Sequence, residues 1–273
     1  MGAIYALFSS GLTLIWGMMN FINFAHGEFV MIGMYVSFLV FMWIGGGPLV
    51  FVLASALALF LFGICIYLLL IRHVIRGPML SQILSTFGLA LLLRYTAFWI
   101  FSANVVSLPQ TSLSGTVNFH GILMPVPQLV AGVIAVVLTI GLHLLLTRTT
   151  IGSKLLAVSE DRNAAMLMGI RPDRMQALAW GLSAGAAGIA GALMATAYPW
   201  SPTVGETFVL TAFVVVCLGG FGSVPGALYA GLIVGLIQAL SAFWFGPIYK
   251  DIVVYALFVA LLWLRPQGLM GKA

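Results

Sequence analysis

Apolar residues run along this chain in long stretches, cut at intervals by clusters of Gly, Pro, Asn and charged residues. The stretches fall at about 2–19, 28–44, 49–71, 79–101, 122–146, 175–198, 207–221, 225–244 and 249–264. Most approach the roughly 20 residues that a helix needs to cross the hydrocarbon core. They are continuously apolar and lack the alternation of a membrane β-barrel strand. An unpaired backbone group in lipid costs several kcal/mol, so a span must satisfy its hydrogen bonds internally, and each stretch is predicted to be helical. The pattern therefore predicts an all-α, polytopic membrane helix bundle of about eight or nine transmembrane segments. It forms one transmembrane domain over residues 1–273.

Two interruptions differ from ordinary loops. The first is Asn20-Phe-Ile-Asn-Phe-Ala-His-Gly-Glu28, whose Asn, His and Glu are residues that helices in lipid avoid. The second is Gly219-Gly-Phe-Gly-Ser-Val-Pro-Gly226, whose glycines and proline weaken or break a helix. Paired broken segments in two parts of a transporter point to its substrate path. This makes Asn20, Asn23, His26 and Glu28, with Gly219, Gly220, Phe221, Gly222 and Ser223, the candidate path residues; two surface turns are the plainer alternative. The glycine cluster is not a dinucleotide loop, because Pro225 stands at the third glycine position and no strand precedes it. A third pattern, Gly181, Ser183, Ala184, Gly185, Gly188 and Gly191, marks a helix that packs closely against neighbours.

Composition strengthens the membrane reading. Hydrophobic residues make up 62% of the chain, charged residues 6%, and the mean hydropathy is +1.16. A soluble domain carries about a quarter of its residues charged. The net charge of +5 would suit a nucleic-acid partner in a soluble protein, but here it reflects the bias of Lys and Arg toward cytoplasmic loops, and no nucleic acid is expected. Arg72 and Arg76 flank one turn, five basic residues crowd 147–174, and Arg265 and Lys272 lie near the C-terminus. The loop 102–121 has neither Lys nor Arg. Loops 72–78 and 147–174 and the C-terminus are therefore predicted to be cytoplasmic. The chain starts apolar at Met1 with no basic leader, so no cleavable signal peptide is expected.

The segment 147–174 is the one charged module, with eight of the seventeen Lys, Arg, Asp and Glu residues. Within it a short helix is predicted over 160–168. Ser159 is taken as its N-cap, Glu160 and Asp161 suit the positive end of its dipole, and Gly169 suits a left-handed end. Ala164, Leu167 and Met168 share one face, and Ala165 is small enough for close approach. A capped helix with an apolar stripe at a cytoplasmic surface should dock into a partner; the plainer alternative is that it lies on lipid headgroups.

Other chemistry is sparse. Cys65 and Cys217 sit inside apolar stretches and read as small buried hydrophobes. His73 and His143 read as interfacial and His120 as part of an external loop. Arg94 lies in the outer half of the span 79–101 and must snorkel outward, pair, or face the path; snorkelling is the expected outcome. No catalytic constellation, metal cluster or cofactor motif stands out, and no GxxxxGK[ST] loop is present, so the chain is not expected to hydrolyse ATP itself.

Four stretches carry a resemblance. They are Gly2-Ala-Ile-Tyr-Ala-Leu with Gly11-Leu-Thr-Leu; Ile22-Asn-Phe-Ala-His-Gly-Glu28; Ser159-Glu-Asp-Arg-Asn-Ala-Ala through Met168-Gly-Ile170; and Leu218-Gly-Gly-Phe-Gly-Ser-Val-Pro-Gly-Ala227 with Leu264-Arg-Pro-Gln-Gly-Leu269. Together they resemble the branched-chain amino-acid ABC transporter permeases, of the type that pairs with a second, related permease. The resemblance implies an inner-membrane importer of bacteria or archaea. It implies two cytoplasmic ABC ATPase subunits, a second permease (a heterodimer) and an external substrate-binding protein, periplasmic or lipid-anchored. Members of the family usually carry further residues ahead of the stretch that matches Gly2. The spacing Asn163-Ala164-Ala165-x-x-x-Gly169 resembles the Glu-Ala-Ala-x-x-x-Gly loop that docks on the ATPase, with Asn163 in place of the Glu. That makes Ser159, Glu160, Asp161, Arg162, Asn163, Ala164, Ala165, Leu167, Met168 and Gly169 the candidate coupling residues. The competing class is a proton-coupled secondary carrier of a small polar solute, in which His26 and Glu28 relay the proton.

Overall fold

The computed structural model describes residues 1–108, 115–119, 122–264 and 267–270. The chain runs α1 (Gly2–Met19), α2 (His26–Ile44) and α3 (Pro48–Ile66), which continues through a π-helical turn (Tyr67–Ile71) into α4 (Arg72–Val74). Then come α5 (Met79–Phe101), a hairpin of β1 (Thr116–Phe119) and β2 (Ile122–Pro125), and α6 (Val126–Arg148). After α7 (Thr150–Glu160) and α8 (Arg162–Leu167) follow α9 (Pro172–Ala195), α10 (Val204–Gly219), α11 (Val224–Phe245) and α12 (Lys250–Leu264). Seven helical stretches, counting Pro48–Val74 as one, are long and apolar enough to cross a membrane, and α10 is a shorter apolar helix. The protein is an all-α, multi-pass membrane bundle, as the apolar runs predicted. One boundary differs: residues 122–125 pair with 116–119 as a strand, and α6 starts only at Val126, where Pro127 fits the first turn.

The core is built on small residues. Helix α9 lies at the centre and packs against α1, α2 and α3. A Cβ on Gly33 would sit 2.8 Å from Gly188 Cα, so α2 and α9 approach backbone to backbone. α1 and α11 approach in the same way, for a Cβ on Gly2 would lie 2.7 Å from the Gly231 carbonyl. The small-residue face at 181–191 thus does what its sequence predicted. Few polar bonds join these helices: Ser37 and Ser55 share the Gly33 carbonyl, and Tyr67 donates to Gln176 Oε1 at 2.8 Å.

The two ends of the bundle differ in charge. At one end lie α4, the end of α6, α7, α8 and the capped start of α9, which carry Arg72, Arg148, Lys154, Arg162, Arg171 and Arg174. There Leu155 of α7 packs with Leu14 and Met18 of α1 and Ala179 of α9. Residues 267–270 return to this end, where Leu269 N–H donates to the Leu218 carbonyl at 2.8 Å and Met270 N–H to that of Gly219 at 3.0 Å. At the other end Val106 pairs with Trp200 in a short bridge. Cys65, expected to be buried, is exposed on the outside of α3, and Cys217 is buried. His120, Arg265 and Lys272 lie outside the described residues.

Candidate functional site

The first interruption ends α1 at Asn20, which adopts a left-handed conformation (φ 48°) that Asn tolerates better than most residues. Residues 20–25 then run without helix at the level of the surrounding spans. Irregular backbone persists at that depth only where protein covers it and its polar groups find partners. Asn23 Oδ1 accepts from the Ala25 N–H at 3.0 Å, a local turn typical of Asn. Helix α5 supplies the rest: Thr86 Oγ1 accepts from the Phe24 N–H at 3.3 Å and lies 3.3 Å from the Ile22 carbonyl.

Helix α2 begins at His26, fully buried, with Nε2 donating to the Phe8 carbonyl at 2.7 Å. In the same first turn, the buried Glu28 carboxylate accepts from Arg94 Nε at 3.1 Å. A second guanidinium N–H of Arg94 reaches the same oxygen, and a third reaches the carboxylate of Glu206 in the first turn of α10. Arg94 therefore does not snorkel. An unpaired charge at a helix centre costs about 2.5–3.5 kcal/mol on insertion scales, so Glu28, buried on the adjacent α2, is a stronger attractor than the distant headgroups. Glu28 and Glu206 each stand at a helix N-terminus, where the dipole favours a carboxylate.

The second interruption is a tighter turn. Gly220 and Gly222 have φ of 95° and 82°, a region that disfavours side chains. Ser223 caps α11 by accepting from the Gly226 N–H at 3.1 Å. The last turn of α1, just before the first interruption, meets the second: Trp16 and Phe221 have ring centroids 4.5 Å apart, and a Cβ on Gly17 would sit 3.0 Å from Gly222 Cα. Among the candidate path residues, Asn23, His26, Glu28, Gly219 and Gly220 are buried, Phe221 and Ser223 half-buried, and Asn20 and Gly222 exposed. Asn23, His26 and Glu28 gather at the start of α2, whereas Gly219–Ser223 gather at the basic end. His26 and Glu28 each bond elsewhere, and among the described residues no hydrogen bond joins them.

Sequence reasoning missed Thr86, Glu206 and the pairing of Arg94. A signal for the last was present. Of six acids, three lie in the charged module 147–174, which leaves Glu28, Glu206 and Asp251 as partners for Arg94.

The short helix α8 is confirmed in kind and corrected in detail. Ser159 is not its N-cap; it belongs to the last turn of α7, where its hydroxyl donates to the Leu156 carbonyl at 2.7 Å. Glu160 ends α7. The cap is Asp161, extended in backbone, whose Oδ1 accepts from Asn163 N–H at 2.8 Å and Ala164 N–H at 3.0 Å. A carboxylate caps at least as well as a hydroxyl, and here it also breaks a helix that would otherwise run through. The helix spans Arg162–Leu167 and not 160–168. Gly169 (φ 78°) ends it: Ile170 N–H reaches the Ala165 carbonyl and Gly169 N–H that of Met166, both at 3.0 Å. Arg162 pairs with Asp173 at 2.8 Å and ties α8 to α9. Ala165 faces inward and is buried, so it cannot face a partner. Ala164, Met166, Leu167 and Met168 face outward, with Leu167 89% and Met168 82% exposed.

A family model described as the permease component of a branched-chain amino acid transport system matches residues 1–262. The chain belongs to that family. It is 32% identical to the high-affinity branched-chain amino acid transport system permease protein LivH of Escherichia coli, over all of this chain and 92% of the relative. It is 31% identical to the protein BraD of Pseudomonas aeruginosa, which carries the same description, over 99% of this chain and 92% of the relative. A more distant likeness, 27% over 98% of this chain and 68% of the relative, is to the permease protein LivM of E. coli. No solved structure matches the chain. Membership decides between the two transport classes: the chain is a permease component of an ATP-binding-cassette system and not a secondary carrier. Such a component is not itself the ATPase.

Proposed function

We propose that this chain forms half of the transmembrane path of an ATP-driven importer for branched-chain, or similar small, amino acids. It sits in the bacterial or archaeal cytoplasmic membrane beside a second, related permease. An external binding protein delivers the substrate, and two cytoplasmic ATPase subunits supply the work. The relatives named above, of both kinds, support the substrate class and the second permease.

One observation carries the coupling part of this reading. Helix α8 presents Met166, Leu167 and Met168 outward at the basic end, and large apolar side chains so exposed mark a contact surface. Both helix ends are fixed, by Asp161 and Gly169, and the Arg162–Asp173 pair relays its position to α9. A push on α8 thus reaches the central helix of the bundle. Asn163 stands on the exposed side with Ala164, where a small residue lets a groove close over the helix.

The path part rests on the two interruptions. Asn20, at the end of α1, and Gly222, in the turn that packs on the last turn of α1, are exposed and are the positions that contact passing solute, and Phe221 and Ser223 border Gly222. Asn23, His26, Glu28, Gly219 and Gly220 shape the path from behind. Ala164→Trp tests the coupling surface, since the indole would block the groove while every span is untouched. The variant is expected to reach the membrane with its permease partner, yet to lose ATPase recovery in pull-downs and leucine-stimulated ATP hydrolysis. Full recovery and full transport would place the docking surface elsewhere.

A further inference from the structure

Behind α8 lies a cleft of about 300 Å³, lined by Lys154 of α7, Arg171 and Arg174 at the start of α9, and Met168, Gly169, Ile170 and Met175. We infer that it binds the phosphodiester headgroup of an anionic phospholipid. The site shares Met168 with the outward face of α8 but not Met166 or Leu167, it lies apart from the interruptions, and its lipid test does not depend on whether α8 docks an ATPase.

Charge is the first argument. Three cations converge on the cleft, and among the described residues no carboxylate pairs with any of them. Of the three acids in the module, Asp173 holds Arg162 and Asp161 caps α8, and Glu160, exposed at the end of α7, is not among the residues that line the cleft. The 24-residue helix α9 adds the positive end of its dipole, since it starts at Pro172 between Arg171 and Arg174. Like charges gathered in one cleft repel, and an anion relieves that repulsion.

The walls choose between a soluble anion and a lipid. Met168, Ile170 and Met175 give the cleft an apolar side, which a hydrated phosphate would leave unused. Acyl-ester and glycerol carbons fit against it. The cleft also lies where α9 enters the bundle: Met175 and Leu178, one turn further on, already pack on Leu14, Met18 and Ala179. That is the depth of the headgroups, on the side whose basic loops mark the anionic cytoplasmic leaflet. Because Gly169 to Arg171 join α8 to α9, a bound headgroup would hold that joint rigid.

The test compares two variants of equal charge loss in the full chain, purified with whatever subunits accompany it. One is Lys154→Gln/Arg171→Gln/Arg174→Gln, at the cleft; the other is Arg72→Gln/Arg76→Gln/Arg148→Gln, equally exposed at the same end but outside the cleft. After delipidation, phosphatidylglycerol retained on exchange into phosphatidylcholine nanodiscs is counted by mass spectrometry. The wild type and the outside variant are expected to retain it, and the cleft variant to retain about fivefold less. Equal losses in both variants would reduce the effect to general surface attraction and overturn the proposal. So would full retention by the cleft variant. Displacement of the lipid by millimolar inorganic phosphate would make this a soluble-anion site. Unchanged lipid with lost ATPase subunits would assign the cleft to the ATPase contact. A melting curve on the cleft variant separates lost binding from lost folding.

Discussion

Helices α9 and α5 are of similar length and both are predominantly apolar, yet they are held in opposite ways. α9 is buried along most of its length, and its glycines let α2 and α3 come to backbone contact. α5 touches the bundle thinly: beside a narrow apolar strip of Leu89, Ala90 and Ala97, it is held by Thr86 to the 20–25 break, Arg94 to Glu28 and Glu206, and a ring stack of Phe101 on Tyr35 at 4.0 Å. Close packing of small residues gives many weak contacts that are all lost together. Polar tethers give a few discrete contacts that can be broken and remade. α9 is thus built as a scaffold and α5 as an attached cover over the first interruption.

The sharpest way to break this contrast is to fill the α9 interface. A Cβ on Gly188 would lie 2.7 Å from the Ser55 carbonyl and 2.8 Å from Leu59 Cβ, with backbone on one side that cannot yield. Overpacking a core costs about 1–3 kcal/mol even where side chains can shift. Gly188→Leu should exceed that and abolish recovery of folded protein, read as loss of a monodisperse peak in detergent. Normal recovery would mean that α9 is not the scaffold.

The tethers should respond in a graded way. Arg94→Gln leaves Glu28 buried without its counter-ion, a change that costs about 3–5 kcal/mol when neither group can relax. Glu28 can take up a proton, so the measured loss should be smaller, with a lowered melting temperature, reduced transport and partial rescue by Arg94→Lys. Glu206 is different, since its side chain is 60% exposed. Exposed pairs contribute about 0–1 kcal/mol, so Glu206→Gln should barely move the melting temperature. Equal effects from Arg94→Gln and Glu206→Gln would show that the buried half of the cluster is not the anchor.

Those differences explain which parts of the molecule were legible in the sequence. Span positions were, because lipid forces continuous apolar runs and interrupts them only where polar groups have partners. The packed face of α9 was, because glycine spacing is itself the packing code. The cap of α8 was not, since Ser159 and Asp161 both make good caps and the choice depends on where α7 ends, a tertiary matter. Burial of Ala165 was hidden for the same reason: the side of α8 that faces α9 is fixed by the Gly169 turn. Arg94 was noticed as an anomaly, but nothing local to it names Glu28, 66 residues away.

The smallest predicted effect tests the idea of α5 as a cover most directly. Thr86→Val keeps the shape and β-branching of the side chain and removes its hydroxyl. The Phe24 N–H then loses its acceptor, at a cost of about 1–3 kcal/mol if it stays buried. It need not stay buried, because water can enter once α5 is loosened at that point, so the melting temperature should fall only slightly. The informative readout is local. Phe24→Cys in the Thr86→Val background should react faster with a small water-soluble thiol reagent than Phe24→Cys alone, and Thr86→Ser, which keeps the hydroxyl, should restore the slower rate. Ala97, buried one turn before the Phe101 stack, gives a position remote from the tether, and Ala97→Cys should react at the same rate in both backgrounds. A rise at both positions would mean that the whole helix detaches, and no rise at either would mean that the Thr86 hydroxyl does not hold the break closed.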